Sequence, residues 1–152
     1  MISWQTATFN QLDINALYEI MKLRSEVFVV EQNCVYLDMD DKDRVEGVYH
    51  LMGYVDDKLV AYMRLLPKGV SFADSVSLGR VLVCPTARKD GYGHQLLIKG
   101  LALAEELWPQ QSIEIGAQQY LMDFYQSHGF VITSDMYLED GIPHLDMIIS
   151  KG

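Results

Sequence analysis

A mixed α/β (α+β) fold is what this sequence predicts, and three observations carry the prediction. Short β-rich runs bounded by turn residues alternate along the chain with segments of helical periodicity. A long amphipathic segment at 92–107 follows one of those runs through a glycine-bearing turn, giving a strand–loop–helix–strand unit at the centre. The 152 residues (17.3 kDa) are 49% hydrophobic and 22% charged, the composition of a globular domain with its own core. No linker, repeat or low-complexity stretch divides the sequence, so 1–152 reads as a single domain.

The elements follow in order. Residues 2–9 alternate loosely, as a strand does. Asp13 is placed to cap a helix over 15–28, with Leu17, Ile20, Met21, Val27 and Phe28 on one side. The stretch DMDDKDRVE at 38–46 lacks periodicity and reads as an acidic loop. Two strands, 49–55 and 59–66, flank the Asp56-Asp57 turn as an antiparallel hairpin. After a loop, LGRVLVCP at 78–85 is a β-rich run ended by Pro85. In the helix over 92–107, Leu96, Gly100, Leu103 and Leu107 form one stripe and Leu97, Leu101, Ala104 and Trp108 the next, so a wide face is buried. Pro109 stops it. A strand at 113–117, a helix at 120–128 with Gly129 as a left-handed cap, and strands near 131–136 and 144–150 complete the order.

Charge and cysteine content exclude several classes. Twelve basic against 21 acidic residues give a net charge of −9, which repels a phosphate backbone and argues against nucleic-acid binding. No apolar run is long enough for a membrane span, and MISWQTATFN has neither a basic nor an apolar leader region. Cys34 and Cys84 lack metal-ligand spacing and read as two reduced thiols of a cytoplasmic protein. The acidic loop fails as a calcium site: Lys42 stands at a ligand place, Asp43 at the glycine and Tyr49 at the bidentate acid.

The most informative segment is VLVCPTARKDGYG at 81–93, where a strand ends and a turn leads into the long helix. First-turn amides of a helix have no internal partner, and the macrodipole adds about half a positive charge. Gly91 and Gly93 let the backbone curl around an anion, and Arg88 and Lys89 add charged donors, as a diphosphate requires. The bland alternative is a glycine-lined turn before a helix. Rival phosphate motifs fail, since His94 and Gln95 replace the Walker Lys-Ser/Thr pair and Leu96 replaces the third glycine of a dinucleotide fingerprint.

These residues carry a resemblance. LGRVLVCP, the R-x-x-G-x-G pattern at 88–93 and the apolar helix behind it resemble motif A of the GCN5-related N-acetyltransferase (GNAT) superfamily. AQQYLMDFYQSHGF at 117–130 is similar to motif B, and LRSEVFVVEQNCVY at 23–36 with YLEDGIPHLDM at 137–147 is similar to the ElaA-like branch. The likeness covers nearly the whole chain. It implies a GNAT-like acyl-CoA N-acyltransferase fold, with a mixed sheet of about six or seven strands splayed between two parallel ones, flanked by helices. Acetyl-CoA would lie in the gap as co-substrate, with no metal.

By that resemblance, Val81, Leu82 and Val83 would pair with the pantetheine arm through their backbone, and the Val81 amide would polarise the thioester carbonyl. Arg88, Lys89, Asp90, Gly91, Tyr92, Gly93 and His94 would hold the pyrophosphate. Tyr125 matches the phenol that protonates the departing thiolate. The family's glutamate base falls at Ser77, so the base stays open among Glu31, His144 and His50. Asp38 and Asp41, with His50, would attract a small-molecule or peptide amine. Cys34 reads as a buried thiol. The resemblance implies an N-acetyltransferase acting on a primary amine and admits a homodimer. A non-catalytic CoA- or partner-binding module is the alternative.

Overall fold

From the N-terminus the chain runs β1 (Ser3–Thr8), α1 (Ile14–Arg24), β2 (Tyr49–Val55), β3 (Lys58–Leu66), β4 (Val76–Val83), α2 (Tyr92–Leu107), β5 (Ile113–Gln118), α3 (Met122–Gln126), β6 (Val131–Ile132), β7 (Tyr137–Glu139) and β8 (Ile142–Ile149). This computed structural model describes residues 1–151. The strands form one eight-stranded sheet in the order β1-β2-β3-β4-β5-β8-β6, with β7 also on β8. All neighbours are antiparallel except β4 and β5, which are parallel. That parallel join requires a crossover, and α2 supplies it.

Asp13 caps α1 by accepting from the Ala16 N–H at 2.7 Å. Beyond Arg24 the helix widens into π-type turns over Ser25–Glu31 instead of stopping near Phe28. Asp56 and Asp57 both adopt positive φ (49° and 63°), the twist-matching geometry of a tight hairpin turn between β2 and β3. α2 has the bounds its stripes predict, and buries Leu96, Leu97, Gly100 and Ala104.

The core is built around β3, which is buried on both faces. A methyl added at Gly100 of α2 would run into Met63, so Met63 faces α2. Its neighbours point the other way: the Tyr62 ring lies under the Arg24 guanidinium of α1 at 5.9 Å, and Arg64 reaches Asp43 at 3.0 Å. The sheet is therefore sandwiched, with α2 on one face and α1 with the loop after it on the other. Each fully buried leucine of α2 contributes about 2 kcal/mol of apolar burial.

The C-terminal third differs from its sequence reading. The strand expected at 131–136 is only Val131–Ile132, and Tyr137–Glu139 forms a separate short strand. It turns through Asp140 and Gly141, both at positive φ, onto β8, which starts two residues earlier than expected. The helix expected at 120–128 is a 3₁₀ turn (Gln119–Leu121) leading into α3.

Candidate active site

β4 and β5 pair only at Val76–Ile113 and Ser77–Glu114, then part. The parting coincides with a bulge in β4. Tyr62 lies opposite Leu82, yet Arg64 lies opposite Gly79, so β4 carries one extra residue there. Arg80 sits in the bulge with left-handed backbone, φ 49°. Downstream, the Cys84 N–H donates to Val60 O at 2.7 Å, so Cys84 faces β3. Strand alternation turns the peptide groups of Val83 and Val81 to the open edge. The Val83 carbonyl duly accepts there, from Arg88 Nε at 3.1 Å. A cavity of about 780 Å³ fills the gap, lined among others by Val81, Val83, Gly93, Ala117, Tyr125 and His144.

The cavity ends at the turn into α2. Gly91 is left-handed (φ 74°), and nothing lies within 4 Å of where its Cβ would be. No side chain caps the helix, so the first-turn amides, Gly93 and His94 among them, have no side-chain acceptor and their dipole is unspent. Gly93 has room for only ordinary contact, with Phe124 and Val83. Asp90 and Lys89 are exposed, so the carboxylate does not fill the turn. Arg88 departs from its expected place at a phosphate. Its Nη1 and Nη2 fork onto Glu31 at 2.5 and 2.6 Å. That fork, more than the opposing effect of burial, holds the Glu31 carboxyl below its usual range, which makes it a poor proton acceptor. His94 packs on Phe124 and shares a 2.8 Å hydrogen bond with His128.

Tyr125 lies in the cavity wall, 6% exposed, with edge-on contacts to Phe124 and Phe130 fixing its ring. Among the described residues none hydrogen-bonds its hydroxyl. Burial, with a lesser effect of Tyr120, pushes the phenol well above its ordinary range. It is therefore a neutral donor at physiological pH.

His144 reaches the cavity from β8. Its Nδ1 lies 2.7 Å from Ile142 O, a carbonyl that can only accept, so Nδ1 carries the proton. Nε2 is left as the basic nitrogen, 3.5 Å from Glu139. The Tyr137 ring stacks on the imidazole, and its hydroxyl donates to Asp146 Oδ1 at 2.6 Å. Gly116 makes room for that bond, since a methyl there would stand 2.9 Å from the Tyr137 oxygen.

The residues expected to attract the amine are placed otherwise. Asp38 is buried and gripped by Arg24 (2.8 Å) and Arg80 (2.7 Å), and Asp43 by Arg24 and Arg64. Asp40 joins Arg64 at 2.6 Å. Three aspartates thus meet three arginines, and three of the loop's five negative charges are neutralised by the fold's own arginines. Asp41 is exposed, pairs with Arg44, and does not line the cavity. His50 is fully buried away from it, donating from Nε2 to Asp43 O and accepting at Nδ1 from the Tyr62 hydroxyl. Burial keeps that imidazole neutral, so His50 is a structural residue. Sequence reasoning missed Arg24, Arg64 and Arg80. Single arginines inside apolar strands, as in AYMRLL and LGRVLV, were the available signal, because a charge there demands a counter-charge.

A sheet opened between two parallel strands, with an uncapped helix at one end and a phenol in the wall, defines the class of acyl-CoA acyltransferases. Residues 7–151 match the acetyltransferase (GNAT) domain family, and the chain belongs to that family. It is 42% identical over 147 residues to Protein ElaA of Escherichia coli K12, covering 97% of this chain and 95% of that protein. The crystal structure of an acyl-CoA N-acyltransferase from Pseudomonas aeruginosa superposes with a TM-score of 0.91 at 40% identity, covering 97% and 99%. An aminoglycoside 6'-N-acetyltransferase complexed with coenzyme A shares the fold at a TM-score of 0.69 and 14% identity, covering 95% and 96%. Among the described residues no helix is long and apolar enough to cross a membrane.

Proposed function

We propose that this protein is an acetyl-CoA-dependent N-acetyltransferase acting on a primary amine, a small molecule or a peptide, by direct attack. The observation that carries the reading is the open edge of β4 running into an uncapped helix turn. Amides at Gly91, Tyr92, Gly93 and His94 receive the diphosphate, with Lys89 alongside. Val83 and Val81 pair with the pantetheine arm as a neighbouring strand would. The Val81 amide donates to the thioester oxygen as charge develops on it.

His144 Nε2 takes a proton from the acceptor ammonium, directly or through water. The free amine then forms the new C–N bond, the C–S bond breaks, and Tyr125 gives its proton to the thiolate. Glu31, tied into the Arg88 fork, is left as a clamp on the phosphate loop. Asp146 and Glu139 line the acceptor end of the cavity beside His144. The cytoplasm is the proposed compartment, in keeping with two buried free thiols.

The test is release of free thiol from acetyl-CoA over a panel of polyamines, amino sugars, amino acids and lysine peptides, with CoA binding followed by calorimetry. Turnover of at least one amine is expected. Tight CoA binding without turnover on any amine would favour a non-catalytic module, and no CoA binding would sink both.

A further inference from the structure

Arg80 stands where β4 leaves β5, and its backbone is left-handed, φ 49°. Glycine enters that region freely, whereas an L side chain does so at a cost. Something beyond the backbone must hold it there. The side chain supplies the grip: Nε donates to Asp38 Oδ1 at 2.7 Å, and Nη2 to Asp38 O at 2.9 Å and to Asp40 Oδ2 at 3.5 Å. Asp38 is anchored in turn. Arg24 of α1, fully buried, donates to its Oδ2 at 2.8 Å, and the Tyr36 hydroxyl to its Oδ1 at 2.9 Å.

The consequence reaches the open edge. Strand alternation has period two, so deleting a bulge turns each peptide group beyond it to the opposite edge. Without the extra residue, the Val81 amide would point at β3 and be consumed in the sheet. A rigid path thus runs from α1 through Asp38 and Arg80 to the bulge, and from there to the one amide that must face the thioester.

We propose that Asp38 is a positioning residue for acyl transfer: by gripping Arg80 it fixes the bulge that aims the Val81 amide into the cleft. This role rests on the acetyltransferase reading above. It assigns the acidic loop to the chemical step, in place of amine attraction.

The experiment combines steady-state kinetics with the infrared carbonyl band of bound [1-¹³C]acetyl-CoA. Wild type should shift that band to lower frequency. Asp38→Asn should lower kcat by about tenfold or more, lose most of the shift and keep acetyl-CoA affinity within about twofold, as expected for a displaced oxyanion donor. Arg80→Gly should retain several-fold more kcat than Arg80→Ala, because glycine holds the bulge without a grip. Adding Asp38→Asn to Arg80→Gly should change kcat little. A folded Asp38→Asn protein with unchanged kcat and band overturns the role, as do Arg80→Gly and Arg80→Ala variants of equal rate. Should Asp38→Asn fail to fold, the two Arg80 variants decide. Wild type that leaves acetyl-CoA unbound overturns the transferase reading and this role together, whereas binding with turnover and indifferent variants overturns this role alone.

Discussion

In the proposed reaction, proton traffic would fall to two side chains whose surroundings fix their form. Tyr125 is held neutral by burial, so it donates over the whole physiological range. Tyr125→Phe removes one hydroxyl from a well-packed ring and should cut kcat by about 10²-fold, the usual worth of a general acid, with CoA affinity nearly unchanged. Calorimetry beside kinetics checks both halves. His144→Gln, which removes the basic Nε2, should cut kcat by about 10²-fold with CoA affinity nearly unchanged. Glu31→Gln should keep most of kcat; a comparable loss there would transfer the base to Glu31. At this scale legibility was uneven. Tyr125 and the glycines of the turn stood in recognisable patterns, because backbone cradles demand glycine at fixed spacing. Asp38 misled because an acidic loop looks the same whether its carboxylates meet solvent or arginines 14 to 42 residues distant.

Among elements, α2 and the ion-pair loop set the cleft's rigidity. α2 lies close on β3 because position 100 has no side chain, and Gly100→Ala would push Met63 aside. The cost should be about 1–3 kcal/mol by chemical denaturation, as for overpacking elsewhere. Shortening Met63 to alanine in the same molecule should recover part of it. Burial works against charge on Asp40 and Asp43, yet the Arg64 and Arg24 bonds outweigh it and hold both carboxyls below their usual range. Their stabilisation is therefore complete above the unfolded pKa near 3.9, and is lost as pH falls through the lower folded values. Melting temperature should drop below about pH 4. Asp43→Asn, which takes one of two carboxylate partners from each of the buried Arg24 and Arg64, should cost about 1.5–3 kcal/mol at neutral pH and flatten that drop. Strong periodicity made α2 and the β2–β3 hairpin readable. The β7–β8 hairpin was not, since a three-residue strand carries too few alternations and its register is set by β8.

For the whole molecule, a net charge of −9 does not forbid the proposed diphosphate site, because salt screens beyond about 8 Å. CoA at about a hundred times its Kd should stabilise the fold by about 2.7 kcal/mol, or a rise of roughly 5–10 °C in Tm by scanning fluorimetry. Added salt should shrink that rise by weakening the phosphate contacts. The sheet's middle is stitched by only two residue pairs, Val76–Ile113 and Ser77–Glu114, with α2 crossing between the halves and the Gln32 side chain hydrogen-bonded to that of Gln118. The chain is thus two half-sheets, the first ending at Val83 and the second beginning at Ile113, meeting at a hinge. Such a seam should open at lower free energy than either half unfolds, so amide hydrogen exchange ought to report two cooperative units in the free protein. A pantetheine arm laid along the seam adds the missing rungs, and with it bound the two units should merge into one.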